Sequence, residues 1–234
     1  MPFLGLRKIV PKLTLPLNPS EHLMKSRTSI LIQLSFFAIA ILCSLIIGRT
    51  LPDTVPIHWN LYGQVDGYGS KWITLLLMPL TILVMGLLTV GLPHIPQSRA
   101  RFLTFSETYH YVMAMVSGLM LALHVIILRA TEGAPFDITR SLLFVILVFF
   151  ALFGDVMGKI KPNPYMGIRT PWTLGNESVW RETHRKSGKL WFWGGGLGAL
   201  AVLAGVPPVA TGILMVALCF WPIGLSYQIH RRLG

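Results

Sequence analysis

Residues 140–157 read RSLLFVILVFFALFGDVM, and this run decides the class of the fold. A hydrocarbon core of roughly 30 Å is crossed by about 20 mainly apolar residues of α-helix. Further stretches of similar character lie at residues 29–48, 72–92, 109–128, 191–206 and 208–228. The sequence therefore predicts an all-α integral membrane protein with about six transmembrane helices.

The composition of the whole chain agrees with this class. Hydrophobic residues make up 53% and charged residues only 12% of the 234 residues, and the mean hydropathy is +0.62. Soluble domains usually carry about 25% charged residues. The composition therefore excludes an ordinary soluble domain.

The last two predicted spans are separated only by Pro207 and Pro208, which interrupt helical hydrogen bonding. We expect them to form a tight helical hairpin, the alternative being one kinked, partly re-entrant element. Gly194 and Gly198 have GxxxG spacing, which indicates close helix packing.

The positions of the cations predict the orientation in the membrane. If both termini are inside, 16 of the 20 lysine and arginine residues fall on the inner side, as the positive-inside rule requires. We therefore expect an N-in, C-in topology, with a cytoplasmic N-terminal arm at residues 1–28 and a membrane domain at residues 29–234. The net charge of +11 then lies along one membrane face, where it attracts anionic lipid headgroups. Direct nucleic acid binding is not expected.

The outer loop, residues 49–71, has the pattern of a short β-hairpin. Apolar residues alternate with other residues from Val55 to Leu61, and Asp66-Gly67 is a turn signal. One interpretation is a recognition surface for a molecule arriving from outside, and the other is a structural cap over the helix ends. The candidate binding residues of this loop are His58, Trp59, Asn60 and Asp66.

The inner loop, residues 158–190, begins GKIKPNPYMGIRTPWTLG. Its prolines restrict the backbone and its glycines permit positive φ, which predicts a shaped loop. Asn176 is placed to cap a helix in which Trp180 and His184 share one face. We expect an amphipathic helix at the inner interface that leads into the fifth span. His184 is either a structural hydrogen-bonding residue or a ligand-binding or proton-transferring group.

Asp155 is the one acidic residue within a predicted span. A carboxylate in the last turn of a helix near lipid is costly without a partner. The sequence predicts an ion pair with Lys159, Arg169 or Arg185. The alternatives are a role in ion or substrate handling and an exposed, inert carboxylate.

Residues 154–191, GDVMGKIKPNPYMGIRTPWTLGNESVWRETHRKSGKLW, strongly resemble the signature of the SdpI (YfhL-type) family of bacterial membrane proteins. Residues 51–72, LPDTVPIHWNLYGQVDGYGSKW, resemble the domain of unknown function that often precedes that signature. The resemblance implies a multi-pass, non-enzymatic protein of the bacterial cytoplasmic membrane that gives immunity to, or senses, a membrane-active peptide toxin. It also implies a secreted peptide toxin as the outer partner and a small transcriptional repressor as the inner partner. The candidate binding residues of the inner loop are Lys161, Asn163, Arg169, Thr170, Pro171, Trp172, Trp180, His184 and Arg185.

A second function class stays open. In a lipid-handling enzyme or transporter, inner cations such as Lys161, Arg169, Arg185 and Lys189 would hold a phosphate-bearing headgroup. Its chemistry would need Asp155 and His184 as acid and base. The sequence contains no GxSxG, HExxH or P-loop motif, and no two histidines have chelating i, i+4 spacing. We therefore expect no catalytic residues, no metal and no cofactor.

Overall fold

A computed structural model describes residues 19–95, 99 and 102–233. Its helices are α1 (Pro19–Ile47), α2 (Lys71–Gly91), α3 (Ser106–Thr131), α4 (Ile138–Met157), α5 (Pro171–Gly175), α6 (Glu177–Leu203) and α7 (Pro208–Leu233). Two strands, β1 (Thr54–Trp59) and β2 (Val65–Ser70), lie between α1 and α2, and a 3-10 turn, Leu92–His94, follows α2. Because α1 begins at Pro19, the last part of the predicted arm is helical. The rest of the arm lies outside the described residues.

Five helices in the described part of the chain, α1, α2, α3, α4 and α7, are long and apolar enough to cross a membrane. The prediction of an all-α membrane protein is confirmed. Helix α6 is different because its first half carries the charged residues of the signature and only its second half is apolar. It nevertheless packs against both α4 and α7, and its second half contains most of the predicted fifth span, residues 191–206. The count of six spans and the orientation stay predictions.

The helices form two halves. The N-terminal half, residues 19–131, packs α1, α2 and α3 against one another, and the C-terminal half, residues 138–233, packs α6 between α4 and α7. Helices α3 and α4 are in contact and join the halves. At one end of the molecule Thr139 donates a hydrogen bond to the carbonyl of Asn60, and at the other the rings of Phe102 and Tyr165 stack at 5.2 Å. We call these the hairpin end and the signature end.

The hairpin between α1 and α2 is antiparallel, as its alternating pattern predicts. Val55 is buried beneath it, in a cluster with Leu51, Leu75 and Leu128. The predicted position of the turn is wrong, because Asp66 and Gly67 lie inside β2.

The hairpin turns instead at residues 60–64. The Asn60 side-chain oxygen accepts hydrogen bonds from the backbone N–H groups of Tyr62 and Gln64 at 2.9 and 3.1 Å, and Gly63 has a φ of 75°. An asparagine that bonds the backbone two residues on is a turn former in its own right, and here it prevails over the Asp-Gly signal.

In the C-terminal half, α4 and α6 approach until their backbones touch at glycines. A Cβ atom on Gly154 would lie 2.6 Å from the carbonyl oxygen of Gly188, and one on Gly195 would lie 2.5 Å from the carbonyl oxygen of Leu147. The predicted pair, Gly194 and Gly198, faces side chains: Gly194 faces Leu218, and Gly198 faces Leu147 and Leu214. The packing role predicted for these two glycines is thus observed, but Gly154, Gly188 and Gly195 make the closer contact.

Candidate functional site

The inner loop of the sequence is a rigid cap over the first turns of α6. Asn163, 2% exposed, builds its first bend. Its side-chain oxygen accepts hydrogen bonds from the backbone N–H groups of Tyr165 and Met166 at 2.7 and 2.8 Å, and its amide nitrogen donates to the carbonyl of Lys161 at 2.8 Å. Gly167, at φ 105°, then brings the chain against His184 so closely that a Cβ atom would clash with the imidazole.

His184 holds this cap through both ring nitrogens. Its Nε2 accepts a hydrogen bond from the backbone N–H of Ile168 at 3.0 Å, so its Nδ1 carries the proton and donates to the carbonyl of Trp180 at 2.9 Å. The imidazole also stacks on the Trp180 ring, with centroids 4.0 Å apart, and Trp180 Nε1 donates to the carbonyl of Ile160. Burial lowers the pKa of His184 to about 4, because the charged form loses its hydration. The residue is therefore neutral at pH 7.

A second set of contacts ties the loop to α7. Thr170 and Thr173 form a capping box at the start of α5, and the Thr170 hydroxyl lies 3.2 Å from that of Ser226. The ring of Trp172 packs on Tyr227 at 5.0 Å. At the next turn of the chain, the Asn176 side chain accepts from the first backbone N–H groups of α6, as the sequence predicts.

The nine predicted residues of the inner loop differ in exposure: four are buried, one is half-buried and four are exposed. Asn163, Thr170, Trp180 and His184 are buried and form the hydrogen-bonded frame just described. Trp172 is half-buried against α7. The remaining four are exposed on the surface of that frame, and these are Lys161, Arg169, Pro171 and Arg185. The structure thus offers only the exposed group for direct contact with a partner.

Asp155 has the first of its three predicted partners. Its carboxylate lies 3.6 Å from the Lys159 ammonium, one turn on, and both side chains are more than 60% exposed. The described contacts include no ion pair between Asp155 and Arg169 or Arg185. An exposed i, i+4 pair of this kind contributes about 0.3–0.5 kcal/mol, so it is a weak structural element.

The four predicted residues of the outer loop lie together at the hairpin end. His58 Nδ1 and Asp66 Oδ1 are 2.5 Å apart across the two strands, and both side chains are well exposed. Asn60 is engaged in the turn, and Trp59 is half-buried. The hairpin therefore presents the His58–Asp66 pair beside exposed aromatic residues, and a second ion pair, Asp53–Lys71, lies at its base.

The N-terminal half contains polar residues that the sequence analysis did not single out. Gln33 on α1 is 2% exposed and accepts hydrogen bonds from Thr89 on α2 and Ser117 on α3 at 3.1 and 3.2 Å. Toward the hairpin end, Ser44 lies 3.0 Å from His124 Nε2 and donates to a carbonyl of α2. An amide inside an apolar run was the available signal for Gln33, since such groups face the interior of a bundle.

Among the residues that the structure describes, no three histidine, cysteine or acidic side chains are close enough to hold a metal ion. The two cysteines, Cys43 and Cys219, are free.

Two regions of the chain are similar to known proteins. Residues 159–226 match the model of the SdpI/YfhL protein family, and residues 36–83 match a domain of unknown function, DUF1648. The chain is 24% identical over 206 residues to the immunity protein SdpI of Bacillus subtilis (strain 168), an alignment that covers 87% of this chain and 97% of the relative. No solved structure matches the chain significantly. The resemblance predicted from the signature is therefore confirmed: this multi-pass membrane protein has one region similar to the SdpI/YfhL family, preceded by a region similar to DUF1648.

Proposed function

We propose that this protein protects its cell against a membrane-active peptide toxin, without catalysis, in the bacterial cytoplasmic membrane. The observation that carries the proposal is the match to an immunity protein along 97% of that relative's length, which includes both the hairpin and the cap. The SdpI/YfhL family model alone covers only residues 159–226. The alignment with the immunity protein also includes the N-terminal half, so it extends the similarity over most of the chain.

The hairpin end supports recognition of a peptide from outside. Leu61, Tyr62, Tyr68 and Trp72 are all at least 60% exposed there, on the same hairpin end as the His58–Asp66 pair. An amphipathic peptide would place its apolar face on these side chains and a polar group on His58 or Asp66. Trp59 and Asn60 hold the strand and the turn on which this pair stands.

The signature end supports docking of a cytoplasmic regulator. Lys161, Arg169 and Arg185 are exposed, and the buried frame below them is fixed by hydrogen bonds. A backbone that is already ordered lowers the conformational cost of binding, and exposed cations suit an acidic protein surface. We infer that the partner is a small transcriptional repressor, held by these cations together with Pro171, while Trp172 anchors the loop on Tyr227.

The geometry does not favour the lipid-handling alternative. His184 is 1% exposed and uses both ring nitrogens within the protein, so no nitrogen is available to a substrate. Asp155 is on another helix and pairs with Lys159. A general base must lie within hydrogen-bond reach of the proton that it abstracts, and the buried imidazole does not meet this condition for a substrate at the surface.

The proposal is tested with a deletion strain and the same strain carrying the gene. Both are exposed to a panel of purified membrane-active peptides, and loss of membrane potential is followed with a voltage-sensitive dye. We expect the gene to slow depolarisation by at least one peptide, and His58→Ala with Asp66→Ala to remove that protection at unchanged protein level. Equal depolarisation of both strains across the panel would overturn the immunity proposal.

A further inference from the structure

A groove of about 260 Å³ lies between α6 and the end of α4. Three of the residues that line it are glycines, so backbone forms much of its surface. Gly154 and Gly188 are the glycines at which the two helices touch, and they make the base of the groove tight. A Cβ atom on Gly158 would lie 3.9 Å from the Cα atom of Arg185, which is ordinary van der Waals contact. The groove therefore keeps free space beside Gly158.

Two cations of α6 line this groove. Arg185 and Lys189 are one helical turn apart and exposed, and the ion pairs of the described residues include neither of them. Asp155 also lines the groove, but its carboxylate pairs with the Lys159 ammonium. The groove thus carries two positive charges that no carboxylate of the described residues contacts.

The same face of α6 continues into exposed apolar side chains. Trp193, which also lines the groove, follows Lys189 by four residues, and Leu197 follows Trp193 by four. Four residues of helix rise about 6 Å. Tryptophan is enriched at the membrane–water interface, and leucine on an exposed face beyond it meets the hydrocarbon. This order places Lys189 and Arg185 at the level of the lipid headgroups, whichever side of the membrane the signature end faces.

We propose that this groove binds the phosphate of one anionic phospholipid of the phosphatidylglycerol class. The Arg185 guanidinium donates two parallel hydrogen bonds to the phosphate oxygens, and the Lys189 ammonium adds a compact positive charge. The glycine surface lets the headgroup approach the backbone of both helices. The acyl chains lie on the exposed apolar face along Trp193 and Leu197.

The charge of the groove decides which headgroup it favours. Phosphatidylglycerol brings one negative charge and an uncharged glycerol. Phosphatidylethanolamine has the same phosphate but adds an ammonium group, which two neighbouring cations repel. Because both cations are exposed, binding should weaken as salt is added, over the range in which the Debye length falls from about 10 Å at 0.1 M to about 3 Å at 1 M.

This inference concerns binding alone and requires no acid or base, so it is independent of the proposed immunity. Arg185 also belongs to the exposed cations that we assign to the regulator, whereas Lys189 does not. A lipid held at Arg185 would therefore lie at the edge of the surface on which the regulator docks.

The test is native mass spectrometry of the full chain, delipidated in detergent and then titrated with dioleoyl-phosphatidylglycerol or dioleoyl-phosphatidylethanolamine. We expect one phosphatidylglycerol to bind at least about fivefold more tightly than phosphatidylethanolamine. Arg185→Gln combined with Lys189→Gln should lower the phosphatidylglycerol affinity at least about tenfold and abolish this preference. The matched control is Arg231→Gln, which removes an exposed cation of α7 that does not line the groove, and it should leave the affinity within about twofold.

Gly158→Leu tests the space without a change of charge. Gly158 has a φ of −66°, which any residue adopts, and the leucine side chain would enter the free part of the groove. It should weaken phosphatidylglycerol binding severalfold in a protein that elutes normally on size exclusion.

Three results would overturn the proposal. Equal affinity for the two lipids that the double change does not alter would assign Arg185 and Lys189 to compensation of the helix dipole at the end of α4. A loss in Arg231→Gln as large as that in the double variant would show general attraction to a basic surface. Displacement of the lipid by an equimolar amount of glycerol 3-phosphate would assign the groove to a soluble phosphate.

Discussion

The two halves of this protein are stabilised in different ways. In the N-terminal half, side chains fill the space between helices, and the buried polar groups Gln33, Thr89 and Ser117 bond one another across the bundle. In the C-terminal half, α4 and α6 touch backbone to backbone at Gly154, Gly188 and Gly195, and the loop above them is fixed by buried hydrogen bonds. Side-chain packing can adjust to a change, whereas backbone contact cannot. The C-terminal half should therefore be the less tolerant one.

The sharpest test of this difference is Gly154→Val. The new side chain would meet the backbone of Gly188 and Phe192 on α6, and the helices would have to separate. Overpacking of this kind costs typically 1–3 kcal/mol and more where backbone must move. We expect the free energy of unfolding to fall by at least about 3 kcal/mol, or no folded protein to form. Thermal unfolding in detergent and size-exclusion chromatography measure these two outcomes.

The matched control is Gly86→Val on α2 in the N-terminal half, where a Cβ atom would have nothing within 4 Å. It should unfold at nearly the wild-type temperature. Helix propensity favours both changes, since valine is a better helix former than glycine, so equal destabilisation would show that the α4–α6 contact does not decide the outcome.

The next largest effect concerns pH and His184. The pKa of this buried imidazole is lowered to about 4, while an unfolded chain has the ordinary value of about 6.5. The unfolded state therefore binds more protons between these values, so stability is fully present above pH 6.5 and is lost as the pH falls toward 4. The difference between the two pKa values corresponds to a loss of stability of about 3 kcal/mol at most.

This prediction is measured as the unfolding temperature of the purified protein between pH 7.5 and 4.5. His184→Gln should lower stability at pH 7.5 and flatten its pH dependence in that window. Val179→Ala removes packing from the same buried part of α6 without a titrating group, so it should lower stability and keep the wild-type pH slope. A wild-type slope in His184→Gln would assign the pH dependence to another group.

The comparison of the halves also shows what the sequence could and could not predict. Apolar length predicts the helices, and alternation predicts the hairpin, because both patterns are local. Asn176 and the face shared by Trp180 and His184 are likewise local, and both predictions hold. The position of the hairpin turn is not predicted correctly, because Asn60 and Asp66-Gly67 are both turn formers and local sequence does not decide between them.

Contacts between elements were harder to predict. The spacing of Gly194 and Gly198 indicates a packed helix face, but Gly154 becomes a partner of Gly188 only through the way α4 lies against α6. In the same way, the bond from Ile168 to His184 depends on the path of the loop. Such contacts depend on tertiary geometry, which no spacing within one segment reports.

The tolerance of the N-terminal half is tested by Gln33→Leu. The hydroxyls of Thr89 and Ser117 already donate to carbonyls within their own helices, at 2.7 and 3.0 Å, so loss of the amide leaves neither of them unsatisfied. Polar contacts between membrane helices contribute on average about 0.6 kcal/mol. We expect the free energy of unfolding to fall by about 1 kcal/mol or less, as measured by denaturation in mixed micelles. A loss as large as that of Gly154→Val would remove the distinction between the halves.

The smallest effect on stability, and the most specific effect on function, is expected for Arg169→Lys. Arg169 is exposed on the cap, and the ion pairs of the described residues do not include it, so the change should alter stability by no more than about 0.5 kcal/mol. Lysine keeps the charge but lacks the planar guanidinium group that binds carboxylates through two hydrogen bonds. If the exposed cations dock an acidic regulator, Arg169→Lys should weaken capture of that regulator severalfold while protection against the peptide persists. The measurement is recruitment of the regulator to membranes, made beside the depolarisation assay, with Arg181→Lys on the exposed face of α6 as the control.

Because Asp155 pairs with Lys159 and not with Arg169, the effects of Arg169→Lys and Asp155→Asn should be additive. A coupled effect would make Arg169 part of the frame and leave Lys161 and Arg185 as the docking residues.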